Sequence, residues 1–291
     1  MKQNRYALFA ALVLGVLPSS SYGAFYATNF ETFNANFGTN NLAGQNGWNV
    51  NATGSGNLGE IQFVQPSTTP FGTKAASLGF NPSIVLSSGA TDVYASYKYG
   101  GSDSTPLLSS TVGTPATTFS ALFQIFDSAS YYSQGSKVRD DFGFRLQNAA
   151  GANLFSLIFT PYKQVDAPES ETAFNQLHWS TGSGSPVLVN NGLSVEEFQS
   201  YTFGITFAPS ATPGNVAFSA NISGASFFSG ELVGLANEEI KEFGAFWKPT
   251  SLADPGSNTI LFDNVNLVPE PSSALLGLLG ASFAFLRRRR N

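Results

Sequence analysis

Four stretches of this chain alternate apolar and polar residues with a period of two, and that pattern limits what it can become. Tyr201, Phe203, Ile205 and Phe207 alternate with Thr202, Gly204 and Thr206. Val216, Phe218, Ala220 and Ile222 alternate with Ala217, Ser219 and Asn221. Phe142, Phe144 and Leu146 alternate with Gly143, Arg145 and Gln147, and Phe119, Ala121, Phe123 and Ile125 with Ser120, Leu122 and Gln124. A pleated strand sends such sets to opposite faces, one dry and one wet. Sheets with one dry face must pack face to face. With 27 phenylalanines in 291 residues, the dry faces are aromatic and the chain cannot stay unfolded in water.

Turn chemistry separates these runs. Asn148 to Asn153 joins Phe142–Gln147 to Leu154–Phe159 as a hairpin, and Pro209 to Asn215 joins Tyr201–Ala208 to Val216–Ile222. Further strands are expected at Phe25–Phe33, Ile61–Val64, Ala75–Phe80, Asp92–Lys98, Ile240–Lys248 and Thr259–Leu267. Helix is scarce, with one short turn expected at Ser194–Phe198, capped by Ser194. No internal repeat and no long linker divides the body, so residues 24–267 read as one all-β, two-sheet antiparallel sandwich.

The two ends are of another kind. Lys2 and Arg5 precede an apolar run from Tyr6 to Leu17, and Pro18 to Ala24 is small and polar. That is the layout of a secretory signal peptide, residues 1–23, read by a translocon and signal peptidase. At the other end Val268-Pro269-Glu270-Pro271 precedes an uncharged stretch, Ser272 to Leu286, and then Arg287, Arg288, Arg289 and Arg290. Fifteen helical residues span about 22 Å, short of the roughly 30 Å hydrocarbon core but able to enter it transiently. Four arginines hold their end on the cytoplasmic side. Both ends therefore send the body outward across the inner membrane.

Charge and composition exclude several classes. Residues 24–268 keep 8 basic and 18 acidic side chains, a net charge of −10. Such a body does not suit nucleic acid or anionic lipid. No cysteine is present, which removes thiol catalysis, disulfides and zinc–thiolate sites, and the single histidine, His178, excludes a multi-histidine metal centre. No Gly-x-Ser-x-Gly elbow accompanies His178. Asp140 and Asp141 are adjacent on a strand and point to opposite faces, so turn bonding or pairing with Arg139 suits them better than catalysis. Glu238, Glu239 and Glu242 precede the Phe243–Trp247 strand without forming Glu-x-Asp-x-Glu. Gly54 to Gly59 matches Gly-x-Gly-x-x-Gly, but no strand–helix unit surrounds it. No catalytic residue is expected.

The tail resembles the PEP-CTERM sorting signal, on Pro269-Glu270-Pro271, the apolar stretch 272–286 and the arginines 287–290. The resemblance implies an exosortase as partner, processing near the Pro-Glu-Pro, and delivery to the cell surface or matrix alongside exopolysaccharide. The same tail is also labelled an ice-binding protein C-terminal domain, which says nothing of the body. The body resembles concanavalin A-like (laminin G/lectin-type) jelly rolls. The phrases are Asn29-Phe30-Glu31-Thr32-Phe33, Leu42 to Trp48, Arg139 to Phe144, and the closing Ile260 to Leu267. A galactose-binding-like jelly roll is the alternative, though usually shorter.

Three site expectations follow. The first and last strands of a jelly roll lie close, so Glu31 and Asp263 meet, with Asn29 or a main-chain carbonyl nearby. Hard oxygens from several segments are what Ca²⁺ needs, and some jelly-roll modules keep a structural Ca²⁺ there; the alternative is two solvated acids. No other cofactor is expected. Trp48 and Trp179 are candidate glycan contacts, Trp179 through a loop with His178, against the alternative of core packing. Trp247 alternates with Phe243 and Ala245 and is expected in the core. The function read from these features is a non-enzymatic exported protein that binds extracellular polysaccharide. The alternatives are a polysaccharide-degrading enzyme on the same fold and a protein-binding adhesin.

Overall fold

A computed structural model describes residues 26–33, 41–53, 62–67, 70–79, 92–99, 108, 116–126, 140–162, 174–182, 184–189, 195–249 and 259–269. Among them are sixteen strands and no helix: β1 Tyr26–Thr28, β2 Trp48–Thr53, β3 Gln62–Pro66, β4 Lys74–Gly79, β5 Asp92–Lys98, β6 Thr117–Phe126, β7 Asp141–Gln147 and β8 Asn153–Tyr162. Then follow β9 Phe174–Ser180, β10 Val187–Leu188, β11 Val195–Glu196, β12 Ser200–Pro209, β13 Val216–Ile222, β14 Ala225–Leu232, β15 Glu242–Lys248 and β16 Thr259–Pro269.

They form two antiparallel sheets. The first runs β14-β13-β12-β6-β16-β4-β3, with β1 also paired to β16. The second runs β10-β9-β8-β7-β15-β5-β2, with β11 paired to β9. Successive strands change sheet at β1–β2, β2–β3, β4–β5, β5–β6, β6–β7, β11–β12, β14–β15 and β15–β16. This is the two-sheet jelly-roll sandwich expected from the sequence. The two expected hairpins are present, β7 pairing with β8 and β12 with β13.

Aromatic rings from the two inner faces meet as the alternation requires. Phe123 of β6 stacks on Phe159 of β8 with centroids 4.7 Å apart, and Phe203 of β12 stacks on Phe144 of β7 at 5.9 Å. Trp247 is buried as expected, and its indole N–H donates to buried Asp140 at 2.7 Å. At one end of the core Phe30, Trp48 and Phe262 pack together at 5.3–5.7 Å. The turn before Trp48 requires glycine: Gly47 has φ +85°, and a Cβ there would lie 2.8 Å from the Tyr97 ring.

Some details differ from the sequence reading. Val195–Glu196 is not a helical turn but a short strand on β9, because pairing to Phe174 and Asn175 gives its backbone partners that one isolated turn lacks. His178 and Trp179 lie inside β9 rather than in a loop. β16 continues through Val268 and Pro269, which pair with Thr118 and Thr117. These two residues, assigned to the tail by composition, therefore belong to the sandwich. Residues 1–25 and 270–291 lie outside the described residues, and with them the signal peptide, Glu270, Pro271, the 272–286 stretch and the four terminal arginines. The Gly54–Gly59 loop and Arg139 also fall outside. Among the described residues no helix is long and apolar enough to cross a membrane.

The expected alternation of exposure holds along β6 of the first sheet and fails along β4 of the same sheet and along β15 of the second. β6 is alternately buried and half-buried along its whole length. In β15 every residue from Glu242 to Trp247 is buried. The outer face of the second sheet is thus closed off from water around its central strand.

Candidate functional site

The strand register brings a set of polar side chains to that outer face. Arg145 of β7 faces outward between Gly244 of β15 and Ser156 of β8. The next outward row holds Tyr94, Phe246, Gly143, Ile158 and His178. Tyr94, Phe246 and Ile158 form a small buried apolar cluster separate from the main core. The row beyond holds Asp141 and Thr160, opposite Lys248 and Gln176 respectively.

Phe246 lies flat on the sheet because Gly143 leaves room for it: a Cβ on Gly143 would fall 2.6 Å from the ring. The Arg145 guanidinium sits 4.5 Å above the Phe246 centroid and 5.3 Å from that of Tyr94, and Lys248 Nζ lies 5.6 Å from the Phe246 centroid. Arg145 Nη2 donates to Asp92 Oδ2 at 2.8 Å, while Asp92 Oδ1 is buried without a hydrogen bond. Thr160 Oγ1 donates to Asp141 Oδ1 at 2.9 Å, and Ser96 Oγ to buried Glu242 at 2.5 Å. Tyr94 donates its hydroxyl to the Arg145 carbonyl at 2.8 Å. Burial, then the Glu242 charge, holds the Tyr94 hydroxyl well above its ordinary pKa, so it stays a donor. A sheet face that closes over ionic groups costs desolvation energy that hydrocarbon would not. Composition placed Arg145 on a wet face and gave it no role. The one available signal was apolar residues, Tyr94, Ile158 and Phe246, on the parity expected to be polar.

The two tryptophans proposed as glycan contacts stand elsewhere. Trp48 is fully buried and donates its indole N–H to the Tyr26 hydroxyl at 2.6 Å. It is therefore a core residue and offers no face to a sugar. Its neighbour Tyr26 has its pKa raised by burial. Trp179 points to the inner face at the rim of the sandwich, stacked on Phe155 at 6.5 Å and edge-on to Phe218 at 5.0 Å. It is partly buried, and its ring packs against the core instead of projecting from a loop.

Glu31 and Asp263 do come together, at the corner where β16 leaves β4 and joins β1. Asp263 sits at the bulge between these two pairings, followed by Asn264 at φ +48°. It is 1% exposed, and its Oδ1 has no hydrogen bond. Burial, with the Glu31 charge adding to it, raises its pKa to about 7 against one opposing bond from the Asn264 N–H. Glu31 moves the other way. Bonds from the Thr73 hydroxyl, the Thr73 N–H at 2.7 Å and the Lys74 N–H at 3.3 Å lower its pKa.

The remaining donors of this corner do not fit calcium. Asn29 Oδ1 accepts from the Glu31 N–H at 3.3 Å, closing a local turn. The main-chain carbonyls of Glu31 and Phe33 accept from Lys74 Nζ at 2.7 and 2.6 Å. Both Glu31 carboxylate oxygens are already engaged by Thr73 and Lys74. Calcium needs six to eight oxygens at about 2.3–2.6 Å, and here a lysine ammonium stands against two of them. Among the described residues, no three Asp, Glu or His side chains cluster as a metal site would require.

No family model matches the chain, and no characterised protein matches it. Several solved structures share its layout. The catalytic domain of a glycoside hydrolase family 131 protein from Coprinopsis cinerea aligns over 86% of this chain and 95% of its own, at 11% identity and TM-score 0.46. The carbohydrate recognition domain of Emp47p aligns over 81% and 96%, at 10% identity and TM-score 0.41. The alginate lyase PA1167 from Pseudomonas aeruginosa aligns over 71% and 86%, at 10% identity and TM-score 0.43. Likenesses this distant carry nothing about the chemistry of the present chain.

Proposed function

We propose that this chain is an exported, surface-sorted β-sandwich that associates with extracellular polysaccharide through the outer face of its second sheet. The observation that carries the reading is the polar cluster around the flattened Phe246 ring: Arg145, Asp92, Asp141, Thr160 and Lys248 on one sheet face. Phe246 itself is fully buried beneath this cluster, so the partly exposed polar groups above it would meet the sugar hydroxyls, which need donors and acceptors of this kind. Export and sorting rest on the two ends of the sequence, which call for a translocon and signal peptidase, then an exosortase, with transient membrane insertion of residues 272–286. The test is co-sedimentation of the secreted protein with exopolysaccharide from the producing cells. Arg145→Lys, which keeps the charge but loses the planar fork, should weaken binding about tenfold. Unchanged binding, with the fold intact, would remove this face from consideration. Cell fractionation of a chain ending at Pro271 tests the sorting signal separately: it should leave the envelope for the medium.

One observation favours an enzymatic second reading. Asp92 of β5 and Asp141 of β7 flank β15, so their backbones stand about 10 Å apart across two strand spacings. An inverting glycosidase places its carboxyls roughly 6.5–9.5 Å apart. The pair is already committed to Arg145 and Thr160, so we expect no release of reducing ends from the bound polysaccharide. Release abolished by Asp141→Asn would favour the enzyme.

A further inference from the structure

The turn that follows β1 is tied to the start of β4 by a cation, and that cation belongs to the chain. Lys74 opens β4 immediately after the Phe71-Gly72-Thr73 turn. Its ammonium donates to two main-chain carbonyls, of Glu31 at 2.7 Å and of Phe33 at 2.6 Å. Glu31 completes the clamp from the opposite direction. Its carboxylate accepts from the Thr73 N–H and hydroxyl and from the Lys74 N–H. The turn 29–33 and the start of β4 are thus locked together reciprocally, each capping the other's main chain. Gly72 is required by the same contact, since a Cβ there would fall 2.3 Å from Glu31 Oε1.

We infer that the Lys74 ammonium holds the position a divalent cation would take at this corner, so that the protein is stapled without metal. The geometry is that of substitution. An ion coordinated by the Glu31 and Phe33 carbonyls would overlap the ammonium that already faces both at hydrogen-bond distance. A lysine is the apt replacement because it brings a compact charge and three rotatable donors on an apolar stem. That stem lies on the inner-face parity of β4, with Ala76 and Leu78 of the core. In a chain with no cysteine the staple is permanent: it needs neither an oxidant nor an ion from the surroundings.

Thermal unfolding of the full chain at neutral pH, with millimolar Ca²⁺ or with EDTA, tests this against calcium titration by calorimetry. The wild type should melt at the same temperature in both and give no heat of calcium binding. Lys74→Met removes the charge while filling the space, and should melt several degrees lower in both conditions. Lys74→Ala empties the space beside the two carbonyls, and should melt lower in EDTA but regain part of the loss in Ca²⁺. A wild type stabilised by Ca²⁺, or one that binds it, overturns the inference, and that arm needs no variant to fold. So does a Lys74→Ala protein as stable as the parent, or one that calcium leaves unrestored. None of these readouts depends on polysaccharide binding.

Discussion

Asp263 carries the clearest single-residue consequence. Its carboxyl is buried beside Glu31 and titrates at about 7, well above the usual carboxylate value near 4. Between those two values the folded state binds a proton that the unfolded state has lost. The stability this residue contributes is complete below about pH 4 and is lost as pH rises through about 7. Glu31 works in the opposite sense: its pKa is lowered, so its contribution is present above the ordinary carboxylate value and disappears in acid. Urea unfolding should therefore show a stability decline from about pH 5 to about pH 8, and Asp263→Asn should flatten it. A slope unchanged by that substitution would place the titrating group elsewhere. The meeting of Glu31 and Asp263 was legible because opening and closing strands are neighbours in this fold. Lys74 was not, since a lysine after a glycine turn looks like any solvated surface charge until its carbonyl partners arrive from 41 to 43 positions away.

At the scale of strands, the period-two reading worked where one face meets water and fell short where neither does. The bounds of β5 and β13 follow directly from composition, as do both hairpins, because alternation and turn residues coincide there. β2, β9, β10 and β14 do not stand out in the sequence: runs such as Trp48-Asn49-Val50-Asn51 and Leu177-His178-Trp179-Ser180 are too short and polar to be read alone. They are strands because neighbours supply their ladder. In the second sheet Phe246 and Tyr94 broke the alternation, and glycine is what lets them lie down. A Cβ on Gly143 would stand 2.0 Å from the Leu157 carbonyl and 2.6 Å from Phe246, so neither backbone nor ring can yield cheaply. Gly143→Ala should cost at least about 3 kcal/mol, well above a typical surface change, and leave little soluble protein. Gly151→Ala is the fitting control, because nothing lies within 4 Å of its Cβ and only its φ of +76° opposes the change; about 1 kcal/mol is expected, read from urea midpoints.

For the molecule as a whole, the last two strands to be made occupy the middle of both sheets. β15 lies between β7 and β5, and β16 lies between β6 on one side and β4 and β1 on the other. Ending the chain at Lys248 would strip the first sheet of its centre, separating β6 from β4. Such a protein should show no cooperative melting transition by circular dichroism or calorimetry. Ending it after Pro269 should melt like the parent, because every paired residue of β16 is retained. The same arrangement sets a clock. A polypeptide made N-terminus first has every earlier strand and still no closed sandwich, since the strand that joins β6 to β4 and β1 comes last of the sixteen. Until that strand is made the two halves of the first sheet have nothing between them, and the sandwich can close only once it is available.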